Sequence, residues 1–238
     1  MIDTKAMYLD LLKKCLLHSL WTDLDKVMVD EGIQFPPDPY ADSMLGLKRM
    51  NNIQFCVENV LRDKVQGDLL EAGVWRGGAC VFMRALLKAN DITDRKVWVC
   101  DSFEGLPPPN EREYPKDKDD INWQFSFLRI PLEVVAETFH KYDMLDDQVI
   151  FLKGWFKDSL PTAPIEKLAV LRCDGDMYES TWSTLTNLYP KVSKGGYVII
   201  DDYLFNGPRA AVDDYRSRNF IWDEVIQIDH HGAYWRKS

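Results

Sequence analysis

Apolar residues in the first sixty positions recur at three- and four-residue steps, the period of a helix with one buried face. Over residues 5–20 that face is Met7, Leu11, Leu12, Cys15 and Leu16, and over residues 44–61 it is Met44, Leu47, Met50, Ile53, Val57 and Val60. Between them, residues 32–40 contain Pro36, Pro37 and Pro39, which stop a helix and predict a loop. Two helices and a loop predict an N-terminal cap, residues 1–66, on a core of residues 67–238. From Gly67 onward the pattern alternates between short strand-like and longer helix-like runs. Strands are predicted at 68–74, 96–102, 149–152, 168–173, 197–200, 224–228 and 233–236, with helices at 78–89, 132–142, 178–189 and 208–218.

Strands alternating with helices imply a largely parallel sheet covered on both faces. The last two strands break the rhythm. Only residues 229–232 separate them, too few for a crossover, so they form a hairpin and the final strand runs antiparallel. A parallel α/β sheet closed by one reversed hairpin is the arrangement of the class I methyltransferase fold, a Rossmann-like sheet. Residues 104–130 are polar and proline-rich in their first half, and a loop of that length inside a compact domain is read as a lid or binding loop.

The balance of 38 acidic against 29 basic residues argues against a nucleic-acid partner, which wants a basic stripe. It suits a cationic cofactor and a divalent cation. No run approaches the ~20 apolar residues of a membrane span, and the opening reads as an amphipathic helix rather than a signal peptide. Cys15, Cys56, Cys80, Cys100 and Cys173 form no C-x-x-C pair and are expected as free thiols in a reducing cytoplasm.

Open α/β sheets bind ligands at the carboxyl ends of their strands. The first strand runs into Glu71-Ala-Gly73-Val-Trp75-Arg-Gly77-Gly78, whose glycines let the backbone turn tightly against a ligand. The acid ahead of them fits a methionine ammonium better than a pyrophosphate. The second strand ends at Asp101-Ser102, where an acid can accept hydrogen bonds from ribose hydroxyls; the alternative is a cap or solvated turn. In the third turn Trp155 and Phe156 are placed against an adenine, with Asp158 or Ser159 at its edge, or are simply core aromatics.

Carboxylates gather at two further strand ends, Asp174-Gly-Asp176 after the fourth and Asp201-Asp202 after the fifth. Neighbouring strands would bring all four together, and such a cluster repels itself unless it holds protons or a cation. Oxygen donors suit Mg²⁺, Mn²⁺ or Ca²⁺. Asp174, Asp201 and Asp202 are assigned as metal ligands and Asp176 as the base that takes a hydroxyl proton, against the alternative that Asp176 or Asp202 caps the next element. His230 and His231, in the hairpin turn, are the rival base, since a pKa of about 6.5 suits proton transfer.

The strings LEAGVWRGGAC, DSFEGLP, LDDQVIFLKGWFKDSLPTAP, LAVLRCDGDMYEST, GGYVIIDDY and GAYWRKS resemble the macrocin O-methyltransferase family, whose members methylate sugar hydroxyls of antibiotics. The resemblance implies S-adenosylmethionine and Mg²⁺ as cofactors and a small-molecule glycoside as acceptor. It also implies Asp174, Asp201 and Asp202 on the metal, Asp176 as base, and Glu71 and Asp101 as cofactor acids. Ser43 and Met44 would cover the cofactor, and the chain would form a homodimer or larger homo-oligomer. A metal-dependent methyltransferase of catechols or phenols, and a non-catalytic cofactor-binding relative, are the alternatives. The loops 32–42 and 104–129, where the sequence departs from the family pattern, are where acceptors would be chosen.

Overall fold

The structure is a computed structural model and describes residues 3–21 and 37–238. Most of the predicted loop at 32–40 therefore lies outside the described residues. Helix α1 spans Thr4–Leu16, opened by Asp3, whose side chain accepts from the Ala6 N–H. It ends at Leu16, with the last residue of its apolar pattern, and does not run on to residue 20, since His18 takes a positive φ of 56°. Helix α2 spans Leu47–Arg62. It begins three residues later than its periodicity suggests, since Gly46 is extended and residues 44–46 are open chain.

The remaining elements are β1 (Asp68–Ala72), α3 (Gly78–Ala89), β2 (Val97–Asp101), α4 (Leu132–Lys141), β3 (Val149–Lys153), α5 (Phe156–Ser159), β4 (Leu168–Cys173), α6 (Tyr178–Leu188), β5 (Val192–Ile200), α7 (Asn206–Arg218), β6 (Ile226–Gln227) and β7 (Ala233–Arg236). One sheet holds all seven strands in the order β3-β2-β1-β4-β5-β7-β6. The first five are mutually parallel, and β7 lies antiparallel to β5, with Ile200 opposite Ala233. The reversed hairpin is therefore present, although β6 is two residues long rather than five. Strand β5 starts five residues before the predicted run. It tolerates polar residues there because its register slips opposite Leu168 and Val170.

Successive strand residues point to opposite faces, and the two faces have separate cores. On one, Leu69, Val97, Val99 and Val170 pack with Leu9, Leu16, Ile53, Val57, Phe82 and Leu86 of α1, α2 and α3. On the other, Leu70, Trp98, Leu171 and Val198 pack with Leu185 and Leu188 of α6, Val212 of α7 and the fully buried Trp235. Each buried apolar Å² in these two layers contributes about 25 cal/mol, so both faces of the sheet stabilise the strands that carry the tips. The long loop 104–130 contains three single turns, at Pro115–Asp117, Asn122–Gln124 and Ser126–Leu128. The five cysteines are free, four of them buried. No helix among the described residues is long and apolar enough to cross a membrane.

Candidate active site

The carboxyl ends of β1, β2, β3 and β4 open into one cleft, at the edge where open α/β sheets bind ligands. Of the residues singled out from the sequence, Met44, Gly73, Trp75, Asp101, Ser102, Trp155, Phe156, Asp174 and Asp176 line it, together with Leu106, Pro107 and Leu128 of the long loop.

The floor is the turn after β1. Gly73 has φ +89°, and a Cβ there would sit 1.5 Å from the Asp174 carbonyl oxygen. Only glycine lets the β1 and β4 tips approach this closely. Trp75 also takes a left-handed φ, 47°, an uncommon backbone state for a bulky residue. Its indole N–H donates to the Phe127 carbonyl at 2.8 Å, tying the turn to the long loop. Asp101 stitches two turns together, because its oxygens accept from the Val74 and Phe103 N–H groups at 2.8 Å each. Asp101 itself lines the cleft. Ser102 shapes the loop start by donating to the Gly105 carbonyl at 2.7 Å. The chain from Asp38 to Ser43 closes over the front of α3. The Gly78 N–H donates to Asp42 at 3.0 Å, and Arg76 holds the carbonyls of Pro39 and Ala41.

Several expected residues lie off the cleft. Ser43 is buried beside Gly78, and its hydroxyl accepts from the Leu45 N–H. Gly77 packs under Val135. Asp158 is exposed, and Ser159 turns its hydroxyl back onto Gly154 and Trp155. Glu71 is 1 % exposed, with one oxygen on the Arg172 guanidinium and the other accepting from the Cys80 thiol at 2.8 Å. It supports the floor from beneath.

The acid cluster forms as the strand order requires. Carboxylate oxygens of Asp174, Asp201 and Asp202 lie within 4.8 Å of one another. Asp176 joins them through its backbone, donating its N–H to Asp202 at 3.0 Å while held at φ 58°.

Two arginines within this cluster were not foreseen. Arg172, 1 % exposed on β4, contacts Glu71, Asp174 (2.7 Å) and Asp201. Arg49 of α2 reaches Asp201 at 2.5 Å and Asp229, at the start of the hairpin turn, at 3.0 Å. The available signals were a lone charge inside an apolar buried strand, for Arg172, and an arginine one position from the apolar stripe of α2, for Arg49. Six carboxylates surround these two cations, so an anionic excess survives them, and carboxylate oxygens are the donors a hard divalent ion takes. The residues present fit such an ion.

The excess charge sets the proton affinities. Burial, then Asp174 and Asp120, push Asp176 up to about 8. Burial and Asp201 raise Asp174 to about 6, against the pull of Arg172. Burial and the acids Asp176 and Asp174 hold Asp202 well above the carboxylate range. Burial raises Glu71 to about 7 despite Arg172. For Asp201 burial is overbalanced by Arg172 and Arg49, and its pKa falls. Neither hairpin histidine lines the cleft. His230 is exposed, and the His231 ring lies edge-on to Phe205.

The sheet order, the glycine floor under an open cleft and the acids at the tips of β4 and β5 define a class I O-methyltransferase. The family model described as Macrocin-O-methyltransferase (TylF) matches residues 25–237, and the chain belongs to that family. It is 50 % identical to the demethyldecarbamoylnovobiocin O-methyltransferase of Streptomyces niveus, covering 98 % of this chain and 94 % of the relative. It is 48 % identical to the mycinamicin III 3''-O-methyltransferase of Micromonospora griseorubida, covering 98 % and 96 %. The solved structure of the O-methyltransferase NovP superposes with a TM-score of 0.94 at 50 % identity, over 98 % of this chain and 99 % of that one.

Proposed function

We propose that this protein methylates a sugar hydroxyl of a glycosylated natural product, a macrolide or similar antibiotic, using S-adenosylmethionine and Mg²⁺. The observation that carries the reading is the Asp174–Asp201–Asp202 triad, whose Asp174 lines the strand-tip cleft. Relatives at 48–50 % identity whose names specify antibiotic and antibiotic-sugar methylation support the acceptor class.

When bound, the cofactor supplies an electrophilic sulfonium methyl, and the cation supplies positive charge beside the acceptor hydroxyl. The chain does the rest. Trp75, Trp155 and Phe156 give the cofactor apolar walls, Asp101 offers ribose-accepting lone pairs, and Met44 closes over it from the N-terminal segment. Asp174, Asp201 and Asp202 are the residues that would hold the cation. Arg49 and Arg172 keep two of them aimed and limit their mutual repulsion. Asp176, beside the triad and with raised proton affinity, accepts the proton leaving the acceptor oxygen, a role worth roughly 10²–10⁴-fold in rate. The same reading expects a cytoplasmic homodimer or larger homo-oligomer, open to light scattering.

The test is mass spectrometry of deoxysugar-bearing antibiotics and simple catechols incubated with enzyme, cofactor and Mg²⁺, with and without EDTA. Methylated glycosides that vanish in EDTA and return with Mg²⁺ are expected. Full turnover in chelator removes the metal from the reading, and turnover of catechols alone removes the sugar.

A further inference from the structure

Helix α6 has no cap of its own. Its N-cap position is Met177, which makes no side-chain bond to the helix, leaving first-turn amides to be satisfied elsewhere. They are satisfied from 61 and 62 residues away. Asp117, in the middle of the long loop, accepts the Tyr178 N–H on Oδ1 at 2.6 Å and the Glu179 N–H on Oδ2 at 3.0 Å. It is 3 % exposed, unlike most of the loop around it. Gly207 at the start of α7 leaves it room, since a Cβ there would lie 3.1 Å from Oδ1. Its neighbour Lys116 adds a pair to Asp214 of α7 at 2.9 Å, the same carboxylate that the Tyr178 hydroxyl reaches.

The amides that Asp117 holds begin two residues after Asp176. The turn between them is tight: Met177 donates to Gly175 at 2.6 Å, and Asp176 sits in the left-handed region. A non-glycine residue in that state persists only where its surroundings over-determine it. On one side Asp202 does so, through the Asp176 N–H; on the other, the anchored start of α6 does. The same loop carries Asp120, whose charge acts on Asp176, and Leu106, Pro107 and Leu128 of the cleft wall.

We infer that Asp117 is a positioning residue: by capping α6 from the lid, it makes seating of the acceptor loop and placement of Asp176 a single event. An open lid removes the cap and leaves the 174–177 turn loose, so proton abstraction is competent only with the loop closed. The inference rests on Asp176 serving as the base in the proposed reaction.

The test compares Asp117→Ala, Asp117→Asn and the wild-type chain. Backbone hydrogen exchange is read at residues 174–179 and across 104–130, with and without S-adenosylhomocysteine; kcat and KM are read on whichever acceptor the wild type methylates. Asp117→Ala should speed exchange in both segments together. It should also lower kcat on the order of 10- to 100-fold, as expected for a displaced catalytic group, while S-adenosylhomocysteine affinity stays near wild type. Asp117→Asn keeps one carbonyl acceptor and should recover part of the rate. Exchange at 174–179 unchanged in Asp117→Ala overturns the inference. So does a kcat that falls only in step with the folded fraction, with Asp117→Asn no better than Asp117→Ala. A wild-type chain that methylates no acceptor defeats the proposed function instead, and the exchange arm still decides whether lid and turn are coupled.

Discussion

Replacing Arg172 with methionine removes the charge at the centre of the acid cluster while keeping most of the side chain's bulk. Three carboxylates lose a partner that is 1 % exposed. Breaking a buried ion pair by deleting one partner costs about 3–5 kcal/mol. Three partners do not triple that figure here. Asp201 keeps Arg49, and Glu71, already at about 7, escapes by taking a proton. A loss of about 4 kcal/mol is expected, or roughly 10 °C in melting temperature for a chain of this size. Because the escape is by protonation, the loss should be smaller at pH 6 than at pH 8. Thermal melts of Arg172→Met at both pH values measure it. Adding Glu71→Gln should recover part of the deficit at pH 8, since the uncompensated buried charge is then gone. A deficit below about 1 kcal/mol, or one identical at the two pH values, would refute the view of Arg172 as counter-ion of the cluster.

Asp176→Asn should bind Mg²⁺ and cofactor as the wild type does but lose roughly 10²–10⁴-fold in kcat, whereas Asp174→Asn should lose metal affinity, both read by calorimetry beside turnover. The metal-free chain should lose stability as pH rises. Asp174 and Asp176 titrate at about 6 and about 8, above the ordinary carboxylate range, so the folded state binds the extra protons, and their contribution is full below about 4 and gone above about 8. Asp201, shifted down, has the opposite sign and matters only below the ordinary carboxylate range. Melts from pH 5 to 8 should therefore decline, and Mg²⁺ should restore most at the alkaline end. Gly73→Ala meets the Asp174 carbonyl at 1.5 Å and requires φ +89°, so it should cost more than the ~1 kcal/mol of an ordinary backbone substitution and weaken cofactor binding, as melts and calorimetry would show.

The sheet was readable because parallel strands buried on both faces are written as short apolar runs, and because four residues between 229 and 232 allow nothing but a hairpin. The strand-tip acids followed from topology: a carboxylate at the end of an apolar run lies at the carboxyl edge. What the pattern hid was side-chain direction and long-range pairing. Glu71 stands ahead of the glycines as a ligand-facing acid would, yet β-strand alternation turns it down onto Arg172. Arg49 and Asp229 are 180 positions apart, and no local period links them. Helix α2 looked longer than it is because Met44 continues its apolar spacing, although that side chain belongs to the cleft. The capping of α6 by Asp117 is equally invisible, since Asp117 stands in a polar stretch where any carboxylate looks solvated.

The Arg49 bridge makes the acid cluster depend on distant parts of the chain. Its guanidinium joins α2 to Asp201 at the tip of β5 and to Asp229 in the hairpin turn. Segments 152 and 180 positions away from Arg49 must therefore be docked on α2 before this cation can sit against both acids.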